Sequence, residues 1–276
     1  MISHIIWDID PRIFSGFEFL RWYGLCWAIG MILAYLLMLK IYQREGRAQS
    51  DLDALTLYVI LGAIIGARLG HILFYDPNYY LNNPLEILPI KTEPTFQFTG
   101  LAGLASHGGV FGALFAFYIY GRKHKKDFLW TLDRLTIAGS LLGAFIRLGN
   151  LMNSEIIGIQ AQVPWAFVFI RIDQVPRHPA QLYEALCYLG IALILFLLWK
   201  SGKVQNQKGF LFGLGLTLIF TQRFLMEFLK ENQAAFEENL ILNMGQILSL
   251  PFILMGILIM LGSLRNLERK PFNSLS

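Results

Sequence analysis

Charge is scarce in this chain: Asp, Glu, Lys and Arg make up 15% of its 276 residues, against about 25% in an average soluble domain. Cysteine is scarcer still. Cys26 and Cys187 both fall inside apolar runs and form no C-x-x-C pair, so they read as two buried apolar thiols rather than a disulfide framework or metal ligands. The chain also lacks an H-E-x-x-H, a Cys/His cluster, a Walker loop, a G-x-G-x-x-G and any Ser/His/Asp order. These absences predict no metal and no cofactor. Neither thiol sits beside an activating base, so the chain offers no nucleophile of its own.

What is present is apolar: 55% of the residues are hydrophobic. Seven runs, near 20–41, 53–75, 98–120, 131–150, 180–199, 209–229 and 243–264, approach or reach the length needed to cross about 30 Å of hydrocarbon. The expected fold is therefore an all-α integral membrane protein, a single polytopic domain with seven transmembrane helices. The first run is preceded by Asp8 and Asp10 and ends without an A-x-A site, so it is expected to be retained. Alternate connections carry 13 Lys and Arg on one side and 6 on the other. That bias puts the N-terminus outside and the C-terminus in the cytoplasm. The net charge of +4 follows from this asymmetry. It implies contact with anionic membrane lipid and no nucleic acid.

The longer connections, 76–97 and 151–179, lie on the outer side, where function tends to concentrate. The aromatic stretch 165–172 reads as a small strand or loop structure, and residues 8–20 as a segment lying along the interface. Gly62, Gly66 and Gly70, each four apart, allow close helix packing.

The polar residues gather at one depth. Tyr23 starts the first run, and Arg68 lies in the outer half of the second. His107 is roughly 14 Å along the third. Arg147, Asn150 and Glu155 sit at the outer end of the fourth, with Gly158 beyond them. Gln181, Tyr183 and Glu184 start the fifth, and Arg223 and Glu227 lie in the outer third of the sixth. An arginine in hydrocarbon costs roughly 2.5–3.5 kcal/mol on insertion scales, so a chain that keeps two near each other is using them. A guanidinium offers a planar fork of donors and stays charged when desolvated, which suits Arg147 and Arg223 to one phosphate. At a membrane surface that phosphate is most simply a lipid head group. A neutral His107 at this depth can take a proton, and Gly108 and Gly109 leave its neighbourhood open. Arg223 and Glu227 are four apart and expected to pair. Arg134, near the cytoplasmic end of its run, is expected to snorkel.

These residues resemble the prolipoprotein diacylglyceryl transferases of bacteria. The resemblance runs through Arg21-Trp22-Tyr23-Gly24-Leu25, His107-Gly108-Gly109, the family signature at 147–158, Arg177-His178-Pro179-Ala180-Gln181-Leu182-Tyr183-Glu184, and Arg223-Phe224-Leu225-Met226-Glu227-Phe228. It departs at Ile146, Leu151, Ala105-Ser106 and Ala180, none of which removes a group that does chemistry. The resemblance implies transfer of the sn-1,2-diacylglyceryl group from phosphatidylglycerol to the lipobox cysteine of a prolipoprotein, with release of glycerol 1-phosphate, at the outer leaflet of the bacterial inner membrane. The substrate then supplies the missing thiol. In the implied roles, Arg147 and Arg223 clamp the phosphate and His107 accepts the thiol proton. Tyr23, Asn150 and Glu155 orient head group and peptide, and Gly158 permits close backbone approach. Glu227 orients Arg223, while Arg68 and Tyr183 contribute to substrate binding. A lipid or organic-anion transporter would instead need polar residues through the full membrane depth and broken helices. A structural assembly protein would need neither His107 nor Arg147.

Overall fold

Backbone groups in hydrocarbon have no water to bond, so apolar runs of this length close their hydrogen bonds within helices. In the computed structural model, which describes residues 4–14, 20–88, 90–91, 97–98, 103–231 and 241–268, all seven runs are helical over most of their length. They form α1 (Trp22–Arg44), α2 (Gln49–Phe74), α4 (Ser106–Lys123), α5 (Phe128–Met152), α6 (Ala180–Lys200), α7 (Phe210–Met226) and α8 (Met244–Glu268), with a short α3 (Pro77–Asn82) after α2. Six of these, all but α4, are long and apolar enough to cross a membrane, α7 together with the 3-10 turn Glu227–Leu229 that extends it. The chain is a multi-pass membrane protein. The helix of the third run starts at Ser106: Ala105 is extended and Gly103 has φ +70°, so neither continues it, and residues 99–102 of the run lie outside the described ones.

The chain folds as two compact units, Met1–Lys40 with Leu129–Ser276, and Ile41–Phe128. In the first, α7 and α8 run antiparallel at close range. A Cβ on Gly213 would lie 2.7 Å from the Gly256 carbonyl oxygen, and Phe220 stacks on Phe252 at 4.4 Å. Such approach is what drives helix association where lipid is as apolar as leucine. Asn243 and Gln246 cap α8 reciprocally: the Gln246 N–H donates to Asn243 Oδ1 at 2.9 Å, and the Asn243 N–H donates to Gln246 Oε1 at 3.1 Å, a capping box. The N-terminus of α7 is capped from α5 instead. Asp133, buried, accepts from the Gly209 and Phe212 N–H groups at 2.8 Å each. The neighbouring Arg134 does not snorkel. It is 2% exposed, lies over the Trp130 ring at 4.9 Å and is 3.5 Å from Asp133, because the buried carboxylate holds it inside.

A small sheet covers the start of α6. β1 (Ile5–Trp7) pairs in parallel with β4 (Phe167–Phe169), which pairs antiparallel with β5 (Pro176–Arg177). Trp7, Phe167, Phe169, Leu151, Ile157 and Leu182 form its core, and the Trp7 indole N–H donates to the Leu151 carbonyl at the end of α5. Of the segment expected to lie along the interface, residues 15–19 lie outside the described ones; on either side of them Ile13 N–H donates to Leu20 O, and Trp22 N–H donates to Pro11 O.

In the second unit α2 and α4 cross on glycine. A Cβ on Gly66 would come within 2.7 Å of the Gly112 Cα, and one on Gly70 within 2.8 Å of the Gly108 Cα. The connection between these helices holds α3, the turn Pro84–Ile87 and the two-residue strands β2 (Ile90–Lys91) and β3 (Gln97–Phe98).

Candidate active site

The site is built where α5 ends. Arg147 and Asn150 are three apart, so they share a face. The Arg147 guanidinium donates to Asn150 Oδ1 at 3.2 Å, and the Asn150 amide donates to Glu155 Oε2 at 3.3 Å. The helix then unwinds through Ser154 (φ +54°) and Ile156 (φ +57°). A β-branched residue in the left-handed region is strained. The kink turns Glu155 back over α5, where Asn153 holds its other oxygen at 3.0 Å. Gln181 donates to the Glu155 carbonyl at 2.5 Å. Tyr23 packs on the same turn, since a Cβ on Gly149 would meet its ring at 2.9 Å.

Helix α6 supplies the opposing wall. Gln181, Glu184 and Tyr188 recur at helical spacing on one face. The Arg147 Nε lies 3.1 Å from Glu184 Oε2, an ion pair without hydrogen-bond alignment. Lys230 Nζ lies 2.8 Å from Glu184 Oε1 and 3.0 Å from Glu227 Oε1. The side chains of Glu184 and Lys230 are 1% and 3% exposed, so each charge has lost its water and depends on its partner. The Tyr188 phenol lies in the fields of Arg147, Glu184 and Arg223.

Glu227, expected to orient Arg223, does not pair with it. Its Oε1 takes Lys230, and its Oε2 accepts from the Asn243 amide at 3.2 Å. Asn243 is held at that position as the α8 cap. Arg223 is half-buried and has no carboxylate within ion-pairing distance among the described residues.

Gly158 is a crossing point. A Cβ there would meet His178 Cβ at 2.7 Å and the Leu229 carbonyl at 2.8 Å. Its N–H donates to His178 O, and Ile159 N–H to Leu229 O, so three segments are threaded through one residue. Arg177 straps the same region, bonding Asp173, Glu231 and the Gly158 carbonyl. The Arg177 guanidinium holds the Asp173 carboxyl below the ordinary carboxylate range, and Asp173 in turn pushes the Arg177 pKa up. Tyr183 is engaged elsewhere: its hydroxyl accepts from the Trp165 indole N–H at 2.7 Å and lies 3.2 Å from His178 Nδ1.

Arg68 and His107 belong to the second unit. Arg68 donates to the carbonyls of Glu86 at 2.5 Å and Ile87 at 2.9 Å and lies over Tyr80. It ties the loop after α3 to α2. His107 is exposed in the first turn of α4, at a groove of about 790 Å³ lined by Gly70, Leu73, Phe111 and Phe115.

Sequence reasoning missed Tyr188, Lys230 and Asn243 as site residues. Each had a local signal: Tyr188 is four residues past Glu184, Lys230 is three past Glu227, and Asn243 opens an Asn-x-x-Gln capping pattern.

The sequence model of the family described as prolipoprotein diacylglyceryl transferase matches residues 11–262. The phosphatidylglycerol–prolipoprotein diacylglyceryl transferase of Bacteroides fragilis is 48% identical over 264 residues, 94% of this chain and 95% of that protein. The protein of the same name from Tolumonas auensis is 46% identical over 96% of this chain and its own entire length. That from Chloroherpeton thalassium is 43% identical over 96% and 97%.

Proposed function

From the premise that this chain belongs to the prolipoprotein diacylglyceryl transferase family, we propose that it transfers the sn-1,2-diacylglyceryl group of phosphatidylglycerol to the lipobox cysteine of prolipoproteins. The thiol sulfur attacks the glyceryl carbon that carries the phosphate. A C–S bond forms, the C–O bond breaks, and glycerol 1-phosphate leaves with the electron pair. Arg147 and Arg223 stabilise charge on the departing phosphate. His107 accepts the thiol proton. The seven helices span the bacterial inner membrane with the N-terminus outside, and the Arg147 end of α5 faces the periplasmic leaflet. The peptide enters from the bilayer past the connections 76–97 and 151–179.

The single observation that supports this reading most is the charge pattern around these two arginines: Arg147 shares its carboxylate with a lysine, and Arg223 has none among the described residues. Two such guanidinium groups, whose fields both reach the Tyr188 phenol, leave donors for an anion. The test uses purified protein with phosphatidylglycerol and a lipobox peptide, following glycerol phosphate release and the peptide mass shift. Release that needs the peptide thiol is expected, and His107→Gln should slow it by roughly a hundredfold or more, the scale of a lost general base. Lipid binding without turnover, in conditions where a relative works, would overturn the transferase reading. Near-normal turnover by His107→Gln would remove His107 from the base role.

A further inference from the structure

Three cations and two carboxylates meet at this end of the first unit: Arg147, Arg223 and Lys230 against Glu184 and Glu227. Left to local geometry, Glu227 would pair with Arg223, four residues earlier on the same helix. Glu184, 1% exposed, would fall wholly on Arg147. Both arginines would then be neutralised, and an incoming phosphate would have to displace carboxylates that cost nothing to leave in place.

The structure prevents this through Lys230. Its ammonium takes Glu227 Oε1 at 3.0 Å and Glu184 Oε1 at 2.8 Å. Asn243 takes Glu227 Oε2, and Gly245 leaves room for that side chain, since a Cβ there would meet Glu227 Cγ at 2.9 Å. The lysine's main chain is held in place. Its backbone bridges to Gly158, and on either side Leu229 O accepts from Ile159 N–H and Glu231 N–H donates to Ile157 O. A flexible, hydrated side chain is thus held 3% exposed by pairing with the loop that follows the Arg147 helix.

We propose that Lys230 is a positioning residue for the lipid head group: it diverts Glu227 from Arg223 and half of Glu184 from Arg147, and so keeps the two arginines electropositive for the phosphate of an anionic lipid. This rests on the reading of Arg147 and Arg223 as the phosphate clamp. Lys230 itself touches no phosphate. Its removal alters binding through the carboxylates it releases.

The test titrates the purified full chain in neutral detergent with phosphatidylglycerol, and in parallel with the uncharged diacylglycerol of the same acyl chains, read by native mass spectrometry. Lys230→Met should weaken phosphatidylglycerol binding roughly tenfold or more, the scale of about one charged contact, and leave diacylglycerol binding unchanged. Lys230→Arg should stay within about threefold of the original. Adding Glu227→Gln to Lys230→Met should recover most of the phosphatidylglycerol affinity, whatever its turnover, because the carboxylate that quenched Arg223 is gone. Unchanged phosphatidylglycerol affinity in Lys230→Met, or a double variant as weak as the single one, would overturn the proposal. If Lys230→Met does not fold, the double variant is compared with Glu227→Gln alone. Similar affinities support the proposal, and a tenfold gap overturns it. An original chain that does not prefer phosphatidylglycerol over diacylglycerol would instead sink the clamp reading.

Discussion

Helix α5 carries an ion-paired arginine toward each end, and the two ends use it in opposite ways. Toward the N-terminal end, Arg134 is 2% exposed, beside an aspartate and over a tryptophan face, and Asp133 is in turn occupied by two backbone N–H groups of α7. The charges there close a helix terminus. At the C-terminal end, Arg147 keeps 13% of its side chain exposed, and its carboxylate is divided with Lys230. The backbone beyond it is strained at Ser154 and Ile156. Arg68, in the second unit, sides with Arg134: its donors go to loop carbonyls. An arginine in an apolar helix is therefore not by itself a substrate ligand. What its donors already hold decides, and so does whether the carboxylates nearby are taken by something else.

The sharpest way to break this comparison is to remove each arginine of α5. Arg147→Met should lower turnover by about a thousandfold, the loss expected when a donor to developing charge disappears, while the protein still purifies folded. Arg134→Met should do the reverse. It leaves the buried Asp133 without its counter-charge, though still held by two backbone N–H groups, and breaking a buried pair costs up to about 3–5 kcal/mol, so the melting temperature falls while turnover per folded molecule holds. Turnover per mole of folded protein, set beside thermal unfolding in detergent, separates the two. If Arg134→Met lost turnover without losing stability, the two ends would not differ in kind.

Both arginines were visible in the sequence, Arg134 as a snorkelling residue and Arg147 as a phosphate ligand, and the side chains they meet were foreseen for neither. Arg147, Asn150 and Glu155 were legible because their bonds are local, spanning three to five residues. The long apolar runs were legible because hydrocarbon leaves the backbone no alternative to a helix. Lys230 was counted only as a loop cation, because its partner Glu184 is 46 residues away in sequence. The same distance problem hid β1, three residues long, whose partner β4 lies some 160 positions downstream. Glu227 misled for the converse reason: a favourable i, i+4 spacing to Arg223 existed, and a competing lysine and cap asparagine took the carboxylate.

Gly158 sharpens the contrast from the loop side. It is the point where the chain after α5, the segment before α6 and the end of α7 touch, so its Cβ has nowhere to go. Gly158→Ala should destabilise by about 1–3 kcal/mol, the range for overpacking. Because the displaced segment carries Lys230, it should also cut turnover more than the stability loss explains. A variant that melts early but turns over normally once folded would show that the strap at Gly158 serves the fold alone.

The smallest effect lies furthest from the arginines, in the Asp173–Arg177 clamp beside the small sheet. Arg177, through hydrogen bonds and charge, and the Val175 N–H hold the Asp173 carboxyl below its ordinary value of 3.8. A depressed carboxylate pKa means the folded state binds its proton less readily than the unfolded state. The clamp's contribution is therefore fully present above about pH 4 and lost as the pH falls through the lower, folded value. Asp173 is partly exposed, so solvent screening limits the contribution to about 0.5–1 kcal/mol. Asp173→Asn should melt a degree or two below the original chain at pH 7, with that gap constant down to about pH 5. The two curves should converge only once the pH has fallen through the folded value, because the original chain then carries a neutral side chain too. A gap that persists at acidities where the folded carboxyl is protonated would show that Asp173 acts through its hydrogen bond to the Val175 N–H and not through its charge.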